Sequence, residues 1–244
     1  MLCCVVATAV AGCSASSGRR TGHGGAPHRP LLVAALGDSI TAGSPGYEPN
    51  PRLRRRLGLG DDPRSQYEYW AQRADRRLRF RNCGVPGQTA AQIGARMTSC
   101  ARGADALVVQ GGINDVADSL DQPRPLRRIA VSEAAATLGQ IVEQGKRMGL
   151  KVAIANVLPW KQGGGAAAPL IDRLNRLIAA LARVERAPLL RFNEALADPA
   201  DPSLMRPRLT ADGAHPSVAG YRRLGAVVAA AFAAGRGESG GKGS

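Results

Sequence analysis

Aromatic side chains are scarce in this chain: Phe, Trp and Tyr together make up 4% of its 244 residues. Proteins that hold single-stranded nucleic acid stack bases on such rings, and no duplex-recognition module is visible either. The excess of 33 basic over 19 acidic residues is therefore not read as a nucleic-acid footprint. The resulting charge of +14 has a bland source in an Arg-, Ala- and Gly-rich composition. Its functional alternative is attraction to anionic lipid or acidic wall polymers. Also missing is an apolar run of about 20 residues, the length that crosses a bilayer. No internal repeat is apparent, and the length suits one core.

The apolar stretch at 2–11 is too short to span and fits the core of an export signal, with small residues before a cleavage point. Its end, Val10-Ala11-Gly12-Cys13, resembles a bacterial lipobox, which would place a lipid on Cys13. No Lys or Arg precedes the run, so the usual basic leader is lacking; a plain signal peptide, or no export, is the alternative. The expected division is a signal peptide at 1–12, a Gly/Ser/Pro-rich tether at 13–29, a domain at 30–234 and a disordered Gly-rich tail at 235–244. On this reading the protein is extracytoplasmic, a membrane lipoprotein or a secreted monomer.

Of five cysteines, Cys3 and Cys4 fall within the signal, leaving Cys83 and Cys100 in the domain. A disulfide suits an exported protein. A straight helix from Gln88, running back along the preceding strand, would hold Cys100 roughly 15–18 Å away, beyond the ~7 Å that can be bridged. Two free thiols are expected.

Short apolar segments at 31–36, 78–83, 106–110, 151–156 and 188–192 read as strands. Between and after them apolar residues recur at helical spacing: Leu138, Ile141, Val142, Gly145, Met148; Leu170, Leu174, Leu177, Ile178, Leu181; and Val218, Tyr221, Leu224, Val228, Phe232. Strands alternating with helices predict an α/β fold with a parallel sheet covered on both faces. Residues 42–64 are long for a strand-to-helix connection and carry four prolines and Arg54-Arg55-Arg56; a lid and a solvated insertion are both open readings. Trp160 either lines the same mouth or packs in the core.

Four separated blocks stand at the edges of these elements: Gly37-Asp38-Ser39-Ile40-Thr41, Asn82-Cys83-Gly84-Val85-Pro86-Gly87-Gln88-Thr89, Gly111-Gly112-Ile113-Asn114-Asp115 and Asp212-Gly213-Ala214-His215-Pro216. Ser39, Gly84 and Asn114 each fall near the C-terminal end of a strand, the edge of an α/β sheet where ligands bind. A serine hydroxyl needs a base to take its proton. Of three histidines only His215 lies in a motif, His23 and His28 being in the tether. Asp212, three residues earlier, can reach one imidazole nitrogen while the other faces Ser39. Pro216 fits the first position of the last helix. Gly84 suits a backbone donor that must approach closely, Asn114 an uncharged side-chain donor, and Ser39 N–H a third donor if Ser39 opens a helix. Asp38 and Asp115 are read as scaffolding for their loops.

In content and order the four blocks resemble the SGNH (GDSL-type) hydrolase family, over 37–216, with Ile40 where many members carry Leu. The resemblance implies a three-layer α/β/α sandwich with a flavodoxin-like five-stranded parallel sheet. It also implies a serine esterase without metal or other cofactor. Ser39 would be the nucleophile, His215 the base and Asp212 its orienting acid; Ser39, Gly84 and Asn114 would form the oxyanion hole. The substrate would be a small-molecule, lipid or glycan ester, and the lack of long apolar runs near the motifs leans towards short acyl chains. Acyl transfer to an alcohol uses the same groups. An inactive glycan- or lipid-binding domain would not need them all. A phosphate binder using Gly37–Thr41 lacks the Gly-Lys-Ser/Thr loop and gives His215 no role.

Overall fold

The computed structural model describes residues 29–234; the expected signal peptide, the Cys13 lipidation site, all of the tether but Arg29, and the tail lie outside the described residues. Five strands form one parallel sheet: β1 (Leu31–Gly37), β2 (Leu78–Gly84), β3 (Ala106–Val109), β4 (Lys151–Ala155) and β5 (Leu189–Leu190). Their order, β2-β1-β3-β4-β5, is the flavodoxin-like one expected. Between them run α1 (Ser39–Ala42), α2 (Pro51–Leu57), α3 (Tyr67–Ala74), α4 (Ala90–Ala95), α5 (Met97–Ala101), α6 (Ile113–Ser119), α7 (Arg124–Arg147), α8 (Gly164–Val184), α9 (Phe192–Leu196) and α10 (Val218–Ala234).

The central strands are apolar throughout because both faces are covered. Ala34 and Leu36 of β1, Leu107 and Val109 of β3, and Val152 and Ile154 of β4 point into one core with α4 to α8. Val33, Ala35, Ala106, Val108, Ala153 and Ala155 alternate into the other, against α3, α9 and α10. Edge strand β2 carries Arg79 and Arg81, charges that discourage pairing with another chain. The predicted helical faces are buried as read at Leu138, Ile141, Val142 and Gly145, at Leu170, Leu174 and Ile178, and at Tyr221, Leu224 and Val228; Met148, past the end of α7, is exposed. Half-buried Trp160 packs against the first core.

Three expectations need correction. Cys83 and Cys100 form a disulfide, with Cα atoms 6.1 Å apart. The helix assumed to separate them is broken at Arg96 into short α4 and α5, so the chain turns back. The fifth strand is two residues long instead of five: Phe192 leaves it to open α9 and stacks edge-on against Tyr67 at 5.4 Å. Pro216 lies outside the last helix; Ser217 precedes α10 and accepts the Gly220 N–H. Residues 42–64 are an ordered insertion. Asn50 caps α2 by accepting the Arg52 and Leu53 N–H groups, and a bridge between Tyr47 and Asp61 closes the base.

Candidate active site

β1 delivers Ser39 to the edge of the sheet and ends there because Asp38 caps the next turn, its Oδ1 accepting the Ile40 N–H at 2.9 Å. Fully buried Asp38 also accepts from Gln110 Nε2 at 3.0 Å, and Gln110 Oε1 accepts from Thr41 Oγ1 at 2.9 Å. Strand ends β1 and β3 are thereby locked together around the serine, the scaffolding role read for Asp38. Asp115 does the same between α6 and α4, its Oδ2 accepting the Ala90 N–H at 2.9 Å.

His215 arrives on the loop before α10. Its Nε2 stands 3.1 Å from Ser39 Oγ and its Nδ1 2.8 Å from Asp212 Oδ2. Asp212 Oδ1 accepts the backbone N–H of both Ala214 and His215, at 2.8 and 2.7 Å. Burial pushes this carboxyl up, but the bonds from the imidazole and the two amides outweigh it and hold it below the ordinary value. The loop is pinned from outside: Lys161 N–H donates to Gly213 O and Gln162 Nε2 to Asp212 O. Thr210 Oγ1 binds both His215 O and Gly213 N. Ser39 is 8% exposed, enough to meet a ligand but shielded from bulk water.

The donor groups are arranged differently from the expectation. The Gly84 N–H is taken by Asn82 Oδ1 at 2.8 Å, and Gly84 is buried against α1, where a Cβ would overlap the backbone of Thr41 and Ala42. Its glycine is needed for close approach of two chain segments, not for an oxyanion. Gly87, three residues on, is exposed with φ +79°, and no neighbour lies where its side chain would be. Among the described residues, neither the Gly87 nor the Ser39 N–H has a hydrogen-bond acceptor. Asn114 Nδ2 donates one N–H to Gln88 O at 2.9 Å, which ties it to the Gly87 turn and leaves its second N–H available. Arg96, unmarked by any motif, holds these parts together. Its guanidinium donates to Cys83 O at 2.7 Å, Gly37 O at 3.1 Å and Gln88 Oε1 at 2.7 Å.

The two glycines separate in a stability experiment. Gly84→Ala forces a backbone shift and is expected to cost about 3 kcal/mol in urea unfolding. Gly87→Ala meets open space and costs about 1–2 kcal/mol, for its left-handed φ alone. An unchanged midpoint for Gly84→Ala contradicts this packing.

Two buried acids, Asp38 beside the nucleophile and Glu68 on α3, have their carboxyls shifted upward by burial. The Asp38 carboxyl is pushed up to about 6, burial outweighing its hydrogen bonds to Ile40 and Gln110. Glu68, 4% exposed with neither carboxyl oxygen hydrogen-bonded, is raised well above its ordinary value by burial. A carboxyl raised on folding binds its proton more tightly in the native state, so stability falls as pH rises between the unfolded and folded values. For Asp38 that window is pH 4 to 6 and the fall is about 3 kcal/mol. Asp212, Asp62, Asp75 and Asp201 are shifted the other way and act below pH 4. Urea unfolding is expected to show wild type less stable at pH 7 than at pH 4.5, with a smaller difference in Glu68→Gln. A stability that climbs across that interval contradicts the assignment.

The sequence profile of the GDSL-like Lipase/Acylhydrolase family matches residues 35–223. Among curated proteins none matches the sequence. Among solved structures, a G-D-S-L family protein from Desulfitobacterium hafniense superposes with a TM-score of 0.64 at 18% identity, covering 82% of this chain and 99% of that one. A GDSL-like lipase from Bacteroides thetaiotaomicron gives 0.62 at 21%, covering 84% and 88%. An acetylxylan esterase from Geobacillus stearothermophilus gives 0.60 at 22%, covering 84% and 93%. At these identities the superpositions speak for the fold, while the profile spans most of the chain and all four motif blocks: the protein belongs to the GDSL-like lipase/acylhydrolase family and is a serine esterase.

Proposed function

We propose that the protein hydrolyses short-chain acyl esters of a polar, glycan-type alcohol through an acyl-Ser39 intermediate. The observation that carries the mechanism is the unbroken relay from Asp212 Oδ2 through His215 to Ser39 Oγ. Ser39 Oγ attacks the ester carbonyl carbon and its proton passes to His215 Nε2. Asp212 holds the tautomer that leaves Nε2 free to accept and stabilises the imidazolium. The carbonyl oxygen, now negative, is received by the Ser39 N–H, the free N–H of Asn114 and the Gly87 N–H, which takes the place first given to Gly84. The alkoxide leaves with the proton from Nε2, and water, activated by the same nitrogen, releases the acid and restores Ser39.

The alcohol side of the substrate is read from the cleft between α2 and the end of β2. It measures about 610 Å³ and is lined by Glu48, Asn50, Arg52, Arg56 and Asn82 beside Gly84 and Val85. Val85 N–H donates to Gly37 O, so this cleft adjoins the nucleophile turn. Its wall also carries Pro49, Leu53 and Val85, so it offers hydrogen-bonding side chains on an apolar floor, and the structural likeness to an acetylxylan esterase is in keeping with a hydroxyl-bearing alcohol there. The Cys83–Cys100 disulfide supports an extracytoplasmic site of action, and a lipid at Cys13 would hold the domain at a membrane. A p-nitrophenyl ester series tests the reading: kcat/KM is expected to be greatest for the two-carbon ester and at least about tenfold lower for the twelve-carbon one. Preference for twelve carbons would point to a lipid ester.

A further inference from the structure

Both α7 and α8 start near the edge of the sheet that carries the catalytic loops, and a cavity of about 650 Å³ opens between the N-terminal end of α7 and the N-terminal half of α8. Five arginines line it: Arg124, Arg127 and Arg128 from α7, Arg173 and Arg176 from α8. No carboxylate is in its wall. Among the described residues none of the five forms an ion pair. Two of them are aimed by neutral acceptors, Arg127 Nε by Gln122 O at 2.7 Å and Arg173 Nη2 by Ser132 Oγ at 3.3 Å. The Arg173 Nε is buried and has no acceptor at all.

So many like charges around one concavity repel each other, and a buried unpaired guanidinium N–H is costly. The positive ends of two long helices add to the same field. A bound oxyanion removes all three penalties, and guanidinium forks match phosphate oxygens two at a time. We propose that this cavity is a binding site for a phosphate-bearing polyanion, either a soluble oligophosphate or the phosphate headgroups of an anionic lipid. Five positive charges in this volume call for several negative charges on the ligand, which clustered phosphates supply. None of Ser39, Asp212 and His215 lines the cavity, so occupancy does not compete with the ester site.

The test uses the full chain carrying Cys13→Ser, so that no attached lipid contributes. Melting is followed with and without millimolar tripolyphosphate, at ionic strength matched with sodium chloride. Retention is measured on phosphatidylcholine vesicles with and without phosphatidylglycerol. In the parent, tripolyphosphate is expected to raise Tm by about 4 °C or more. In Arg128→Gln/Arg173→Gln that gain falls to a third or less, while p-nitrophenyl acetate hydrolysis stays within about twofold. If this pair does not fold, the rim pair Arg124→Gln/Arg176→Gln replaces it. A Tm gain without vesicle retention assigns the site to soluble phosphates. Arginine-dependent retention on phosphatidylglycerol assigns it to lipid. An equal gain in parent and variant, with equal retention, would overturn the proposal in favour of general screening of a +14 chain.

Discussion

Ser39→Ala is expected to lower kcat on p-nitrophenyl acetate by about 10⁴-fold or more, with Tm essentially unchanged. The hydroxyl's one hydrogen bond is to His215 Nε2, so its loss removes no support from the fold. It does remove the atom that forms the acyl-enzyme, and what remains is water attacking an ester held near an intact oxyanion hole. That fold-change corresponds to about 5.5 kcal/mol of barrier. His215→Ala is expected to fall as far, and the double variant hardly further, because the two groups act as one unit. Additive losses in the double variant contradict a relay.

Asn114→Ala is expected to reduce kcat by about 10²–10³-fold with KM little changed, because its free N–H meets negative charge that exists only in the transition state. Asn114→Asp should be worse than Ala, since a carboxylate keeps the size but repels the oxyanion. Asn114 also clamps Gln88, and a purely structural role would show as a lowered Tm or a raised KM, with kcat spared. Kinetics and melting on the same samples separate the two.

The sheet and the relay were readable in the sequence because each rests on local pattern. Buried parallel strands are continuous apolar runs, and Asp212 and His215 are three residues apart on one loop, so their pairing needs no distant information. Ser39, Gly84 and Asn114 sit at strand ends, which the alternation of strand and helix already located. What was not legible depends on where a chain bends or what lies opposite. The break at Arg96 has no Pro or Gly at that residue, and it is stabilised by carbonyls of Cys83 and Gly37 from other strands; without it the disulfide looked out of reach. Gly84 and Gly87 are both glycines of one motif. Only the Asn82 side chain across the turn, and the backbone of Ala42 behind it, show which N–H is already engaged. Glu68 on α3 looks like an ordinary surface acid until α10 packs across it. The arginines of α7 and α8 are separated by about fifty residues of sequence, and only helix packing brings them around one cavity.

The most direct test of the account is mass spectrometry of the protein after reaction with a fluorophosphonate ester, which labels a serine only when a base has activated it. The relay predicts one adduct, on Ser39, in wild type and none in His215→Ala. An unlabelled Ser39 in demonstrably folded wild-type protein, or an adduct that persists without His215, would contradict it.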